Sequence, residues 1–337
     1  MILMILGFNK QNIILINKME ADMKVVLLES LGVSKEVLDH YGKQLIEQGH
    51  SFEAYEKDTD TAVMVERAKE ADVVMIANMP LKGEVISQCS NLKFIDVAFT
   101  GVDHVDLETA KRLGIAVSNA SGYSNESVAE LVMGMILSLL RNVPQVEARC
   151  REGKTKDGLV GRELKGKTVG VVGIGAIGSR TAQLCNAFGC KILAYDLYPK
   201  KNAPEYINYV SLEELLSSSD IITLHCPLTD ESRHLINKER IALMKPRTIL
   251  INAARGPVVD SEALAEALNT DRIGGAGIDV FEIEPPLNTD HPLLHSKNTI
   301  VTPHIAFASE ESMQLRAKIV FENIDKWMKG EQVNKIL

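Results

Sequence analysis

Cysteine is scarce and unpatterned in this chain. There are five, Cys89, Cys150, Cys185, Cys190 and Cys226, an odd number with no C-x-x-C pair. That argues against a disulfide framework and a zinc site, so no metal is expected. The five read as small buried hydrophobes in a protein of a reducing, cytoplasmic compartment. A surplus of positive charge is missing too. Lys and Arg number 37 against 45 Asp and Glu, a formal net charge of −8. The balance argues against a nucleic-acid binder and against attachment to an anionic membrane surface. No apolar run approaches the roughly 20 residues that span a bilayer. Repeats and low-complexity segments are lacking.

What is present is an ordinary globular composition over 337 residues, 45% hydrophobic and 24% charged. At roughly 100–200 residues per domain this length suggests two domains. The first residues, MILMILGFNKQNIILINKMEAD, lack a basic n-region and a small-residue cleavage site, so they make a poor signal peptide. Residues 1–22 read as an extension of unknown role, with a fresh start at Met23.

From Lys24 the chain alternates β-rich runs with helical patterns. The runs are KVVLLE (24–29), SFEAY (51–55), DVVMIA (72–77), KFIDVA (93–98) and IAVSN (115–119), with helices around 34–47 and 61–70. This is the signature of βαβ units, and the expected class is α/β with doubly wound parallel sheets. Residues 124–143 then read as one long apolar helix, N-capped by Ser124 or Asn125 and followed by Pro144. A helix so apolar needs cover on nearly all sides, from a neighbouring domain or a second subunit. A polar loop, 151–167, follows it. Six further strands are expected: 168–173, 191–196, 220–226, 248–253, 275–279 and 298–303, with a Ser211/Glu214 capping box in between. Six strands make a complete dinucleotide-binding sheet. The tail, 307–330, is helical and could return to the first domain.

The strand TVGVVG runs into Gly173-Ile174-Gly175-Ala176-Ile177-Gly178 and then a helix, which is G-x-G-x-x-G in its required context. The first glycine makes the tight turn, the second lets pyrophosphate approach the backbone, and the third lets helix and strand pack closely. Free N–H groups and the helix dipole would face the phosphates. Asp196 ends the next strand, 23 residues beyond Gly173. A carboxylate there accepts from ribose hydroxyls and repels a 2′-phosphate, and Leu197 and Tyr198 supply no Arg to attract one. The cofactor expected is NAD rather than NADP.

Three ionisable residues follow later strands: Arg255 after TILINAA, Glu284 in DVFEIEPP and His304 in VTPHIA. Ligands of doubly wound sheets lie beyond the carboxyl ends of the strands, where these three ends converge. Histidine can supply the proton that a reduced ketone needs. A neighbouring carboxylate orients it, and arginine binds a substrate carboxylate and polarises the ketone.

At this point the sequence resembles the D-isomer-specific 2-hydroxyacid dehydrogenases. The resemblance runs from about Met23 to nearly the end and is specific in VAELVMGMILSLLRN, GRELKGKTVGVVGIGAIG, LHCPLT, NAARGPVVD, GIDVFEIEPP and VTPHIA. It implies a flavodoxin-like substrate domain (23–122 plus 307–337) and an inserted Rossmann NAD-binding domain (123–306). It implies a homodimer joined through helix 124–143. It makes Arg255, Glu284 and His304 the catalytic residues, with His304 as acid in ketone reduction and Glu284 as its partner. Asp279 would hold the nicotinamide carboxamide, and His225, Cys226, Pro227, Ala253 and Ala254 would line the cofactor.

On the substrate side, DVAFTGVDHVD (96–106) matches the family's substrate loop. Backbone N–H groups around Thr100, Gly101 and Val102 would face the substrate carboxylate together with Arg255 and His304. Asp103 and His104 would stabilise the loop, and residues 78–82 could line the pocket. Phosphoglycerate dehydrogenases often carry a basic residue where Val97 stands and append a regulatory domain beyond a point such as Leu337. Formate dehydrogenases of the superfamily lack the acid found here as Glu284. The expected substrate is therefore a small unphosphorylated 2-keto acid of the glyoxylate, hydroxypyruvate or D-lactate type. D-3-phosphoglycerate dehydrogenase is the alternative activity, and an NADH-sensing, corepressor-like binding protein is the alternative of another class. A two-lobed site also implies domain closure to exclude water.

Overall fold

A computed structural model describes residues 22–283 and 286–337. The extension read over 1–22 lies, but for Asp22, outside the described residues. The chain forms two compact units, one of residues 22–123 with Met313–Leu337 and one of Ser124–Ser312. The sequence reading placed these divisions at 122/123 and 306/307. Residues 307–312 are tied to the second unit where Ser127 Oγ donates to the Phe307 carbonyl at 3.3 Å, a carbonyl that Ser312 Oγ also bonds.

The first unit holds five parallel strands, β1 (Lys24–Leu27), β2 (Ser51–Ala54), β3 (Val73–Ile76), β4 (Phe94–Val97) and β5 (Ala116–Asn119), in the order β2-β1-β3-β4-β5. This is the flavodoxin-like order. All four residues of β3 and of β4 are buried, as expected of parallel strands covered on both faces. Helix Lys35–Glu47 starts at Ser34, and helix Thr61–Ala68 at Asp60, whose carboxylate accepts from Ala62 N–H at 2.7 Å. The last helix, Glu310–Met328, covers the sheet with Trp327 stacked on Phe94, centroids 4.7 Å apart. Its Asn323 donates to the wholly buried Asp96 of β4 at 2.9 Å. Burial raises the Asp96 carboxyl well above the usual range, against the smaller opposing pull of Asn323.

The second unit holds seven parallel strands, β6 (Thr168–Val172), β7 (Lys191–Tyr195), β8 (Ile207–Tyr209), β9 (Ile221–Leu224), β10 (Ile249–Asn252), β11 (Gly275–Ile278) and β12 (Thr299–Val301). Their order, β12-β11-β10-β9-β6-β7-β8, is that of a Rossmann sheet with one added edge strand. The sequence reading found six. It missed β8, an edge strand of three residues with only Ile207 buried, too short for alternation to show. Ser211 Oγ accepts from Glu214 N–H at 3.1 Å at the start of helix Leu212–Ser218.

The long helix expected over 124–143 is Asn125–Leu140, and a second, unexpected helix follows it. Helix Asn125–Leu140 stops at Arg141, Asn142 turns left-handed at φ +50°, and helix Val143–Arg151 leaves at 64°. Pro144 lies in the first turn of the second helix rather than beyond the end of the first, a position where its missing N–H costs nothing. Ser124 is the N-cap by position, but its side chain makes no capping bond. The first helix packs on helix Ala176–Ala187 and on β10 and β11. A Cβ on Gly277 of β11 would lie 3.0 Å from Met135 Sδ, so the missing side chain is what admits the helix. Among the described residues no single helix is long and apolar enough to cross a membrane.

The cysteines are all free. Cys89, Cys185 and Cys190 are buried as expected, but Cys150 is exposed on the second of the bent helices and Cys226 is half-buried.

Candidate active site

At the end of β6, Gly173 takes φ +92°, and a Cβ there would press on Cys226 N at 2.8 Å. A Cβ on Gly178 would sit 2.0 Å from Gly173 O. The protein's own packing therefore requires both glycines. Gly175 differs: a Cβ there would meet nothing within 4 Å. Its openness leaves room for something other than protein to approach. The N–H groups of Gly175, Ala176 and Ile177, at the positive end of helix Ala176–Ala187, find no acceptor among the described residues. Donors facing open space beside a bare glycine fit a dinucleotide pyrophosphate.

Asp196, just past β7, does more than was read from it. Its Oδ2 accepts from Ile174 N–H at 2.7 Å and its Oδ1 from Tyr198 N–H at 2.8 Å, so it ties the glycine loop to the neighbouring strand end. Each oxygen keeps lone-pair capacity for a ribose hydroxyl. After β9, His225 N–H donates to Val172 O at 2.7 Å and its Nε2 pairs with Thr223 Oγ1 at 2.9 Å. Burial pulls this imidazole down to about 4, so it is neutral beneath the loop. Burial, then the Asp196 charge, pushes the Cys226 thiol up to about 11, which keeps it unreactive at neutral pH. Pro227 is exposed, and its carbonyl accepts from Ser232 Oγ at 2.7 Å.

The turn after β10 is stitched by a residue the sequence reading passed over. Asn252, 1% exposed, accepts from Ala254 N–H at 3.1 Å and donates to Arg255 O at 2.9 Å. Ala253, Ala254 and Arg255 are half-buried on this turn, and Arg255 Nη1 donates to Ala254 O at 2.8 Å. The signal was available: Asn at a strand end is a common Asx-turn former. Glu284, read as the acid partner, lies outside the described residues.

Asp279 follows β11 and is 0% exposed. Its Oδ1 accepts from Thr302 Oγ1 at 2.6 Å and from Ile305 N–H at 2.9 Å, and its Oδ2 from Ala306 N–H at 2.9 Å. The carboxylate thus builds the turn after β12 that carries His304. His304 itself sits at φ +55°, an unusual backbone region for a residue with a side chain. Its half-buried imidazole meets the Phe307 ring edge-on, centroids 5.3 Å apart. Arg255, Asp279 and His304 accordingly stand at the carboxyl ends of three adjacent strands, in the same unit as the glycine loop. No cluster of His, Cys, Asp or Glu among the described residues could hold a metal ion.

In the first unit, Thr100 is exposed and Gly101 and Val102 half-buried. Their backbone N–H groups find no acceptor among the described residues. The loop is held from below: Asn119 Nδ2 donates to Thr100 O at 2.7 Å and Val105 N–H to Val102 O at 3.0 Å. His104 takes Leu81 N–H on its carbonyl at 2.9 Å, which joins this loop to residues 78–82. Glu29, unnoticed in the sequence and 4% exposed, fixes that second loop by accepting from Ala77 N–H at 2.7 Å and Met79 N–H at 2.8 Å. Val97 ends β4 wholly buried. It is a core residue.

Comparison with known proteins adds to this geometry. Residues 133–306 match the family model described as D-isomer specific 2-hydroxyacid dehydrogenase, NAD binding domain. The chain is 37% identical over 325 residues to a hydroxypyruvate reductase of Blautia hydrogenotrophica, covering 93% of this chain and 99% of the relative. It is 41% identical over 279 residues to a D-3-phosphoglycerate dehydrogenase of Methanocaldococcus jannaschii, covering 81% of this chain and 53% of that one. Among solved structures, the D-lactate dehydrogenase of Aquifex aeolicus complexed with NAD and lactic acid superposes with a TM-score of 0.82 at 35% identity, covering 91% of this chain and 96% of the other. The chain belongs to the D-isomer-specific 2-hydroxyacid dehydrogenase family and is an NAD-dependent oxidoreductase acting on the CH–OH group of 2-hydroxy acids.

Proposed function

We propose that the protein interconverts a small unphosphorylated 2-keto acid, hydroxypyruvate or glyoxylate, with its D-2-hydroxy acid. The observation that carries this reading is the placement of Arg255 and His304 at strand ends beside Asp279, in the unit that holds the glycine loop. Held against the glycine loop, NADH would supply the hydride for the keto carbon. His304 gives its ring proton to the ketone oxygen and takes it back in the oxidative direction. Arg255 pairs with the substrate carboxylate and steadies the charge growing on that oxygen. Glu284 is the acid assigned to favour the protonated ring. The first unit (22–123 plus Met313–Leu337) is assigned as the substrate domain, with the backbone N–H groups of Thr100, Gly101 and Val102 as its substrate-binding groups.

For the cofactor, Gly173, Gly175, Ala176, Ile177 and Gly178 cradle the pyrophosphate. Asp196 accepts from the ribose hydroxyls, and His225, Cys226, Pro227, Ala253 and Ala254 line the groove. Asp279, besides building the His304 turn, holds the carboxamide with its remaining lone pairs. The partly exposed Leu131, Leu137 and Leu139 and the exposed Gly134 of helix Asn125–Leu140 support a homodimer formed through that helix. Five free thiols support a reducing, cytoplasmic location.

The test is a panel of glyoxylate, hydroxypyruvate, pyruvate and phosphohydroxypyruvate with NADH and with NADPH. The reading expects the highest kcat/KM with NADH and one of the first two. A preference for phosphohydroxypyruvate would assign the chain instead to phosphoglycerate oxidation, the activity named for the Methanocaldococcus relative.

A further inference from the structure

Gly256, immediately after Arg255, has no room for a side chain. A Cβ there would lie 1.9 Å from Phe281 C, 2.0 Å from Phe281 O and 2.5 Å from Glu282 N. The backbone beyond Arg255 is therefore pressed directly on the backbone of Phe281 and Glu282. Asn252 holds Arg255 from the other side. Arg255 Nη1 donates to Ala254 O at 2.8 Å, and the main chain at Arg255 is thus held between Asn252 and residues 281–282.

His291 holds them. Its Nε2 lies 3.0 Å from Glu282 Oε2, and its ring meets the Phe281 ring edge-on with centroids 5.1 Å apart. Leu293 N–H donates to His291 Nδ1 at 3.3 Å. A ring whose Nδ1 accepts carries its proton on Nε2, so the neutral tautomer already donates to Glu282. Ser261, at the start of helix Ser261–Asn269, also bonds the Glu282 carboxylate. Burial would raise that carboxyl, but Ser261, His291 and the local backbone together outweigh it and hold it below the usual range. The side chains are 18% and 35% exposed. A pair this close to the surface adds little stability, and its consequence is geometric.

We propose that Glu282 and His291 are positioning residues for Arg255, fixing the backbone against which Gly256 packs and so the line along which the guanidinium meets the substrate carboxylate. This rests on the reading of Arg255 as the carboxylate-binding residue. Neither residue contacts the glycine loop's open donors, so NADH binding should be indifferent to the pair.

The experiment is a double-mutant cycle between His291→Ala and Arg255→Lys, with hydroxypyruvate, or glyoxylate if it turns over faster, and with NADH affinity measured separately by fluorescence titration. His291→Ala is expected to raise KM and lower kcat/KM about tenfold, since small misplacements of a binding group act on this scale, while the NADH Kd moves less than about twofold. His291→Gln, whose amide N–H can replace Nε2–H, should restore most of the loss. In the Arg255→Lys background, His291→Ala should cost less than about twofold, because coupled residues are not additive. Full activity of His291→Ala, or the same tenfold loss on top of Arg255→Lys, would overturn the inference while leaving Arg255 in its role. If Arg255→Lys alone leaves KM and kcat unchanged, the reading of Arg255 fails and the inference falls with it. Should His291→Ala not fold, Glu282→Ala enters the same cycle with the same expectations.

Discussion

The main-chain N–H of His304 donates to the main-chain carbonyl of Asp279 at 2.7 Å, and the Asp279 carboxylate gathers the two N–H groups that follow His304 in the chain. One buried acid therefore both builds the turn and keeps the imidazole in a left-handed backbone conformation that costs of the order of 1–3 kcal/mol. Asp279→Ala would leave the N–H groups of Ile305 and Ala306 without their acceptor, at roughly 1–3 kcal/mol for the buried Ala306 donor. A clear drop in the thermal midpoint should accompany loss of turnover. A variant with wild-type melting and wild-type kcat would show that the turn stands without the carboxylate.

The glycine loop separates two kinds of requirement. Gly178→Ala drives a methyl to 2.0 Å from Gly173 O and should destabilise the protein itself. Gly175→Ala meets open space and should leave the melting temperature within about 1 °C while weakening NADH binding by about tenfold or more. Parallel melting curves and NADH titrations check the pair. An unaltered NADH Kd in Gly175→Ala would place the pyrophosphate elsewhere.

Asp196 is predicted to set the preference between the two nicotinamide cofactors. Asn at this position keeps an acceptor for Ile174 or Tyr198 N–H and removes the charge that repels a 2′-phosphate. Asp196→Asn should raise the NADPH-to-NADH ratio of kcat/KM by about tenfold. An unchanged ratio, measured with one keto acid at fixed ionic strength, would remove Asp196 from this role.

Two buried groups give stability opposite dependences on pH. Asp96 titrates in the folded protein well above its unfolded value, so its contribution is complete below about pH 4 and is lost as pH rises through the folded value. Asp96→Asn, which cannot ionise, should raise the urea midpoint at neutral pH relative to wild type. His225 titrates at about 4 when folded against a usual 6.5, so its contribution is present above 6.5 and is lost as pH falls through about 4. The difference is worth up to about 3 kcal/mol. His225→Asn should flatten that acid limb of the midpoint curve, and an unchanged limb would count against a neutral buried ring.

Much of this architecture was legible in the sequence because long-range order was written in short-range signals. Apolar runs such as VVMI and ILIN announce strands covered on both faces, and G-x-G-x-x-G after a strand announces a phosphate loop. What escaped was encoded in contacts between distant residues. Glu29 reaches Ala77 and Met79, and Glu282 reaches His291, without any spacing that marks the pairs. Helix Val143–Arg151 escaped because it buries no residue, so no apolar stripe marks VPQVEARCR as helical.

The most direct measurement is single-turnover reduction of a 2-keto acid by His304→Gln, set beside its NADH Kd. If His304 is the proton donor, the rate of NADH oxidation falls by at least about a hundredfold while NADH binds as before, the scale expected for loss of a general acid. A His304→Gln protein that turns over at the wild-type rate would contradict the account.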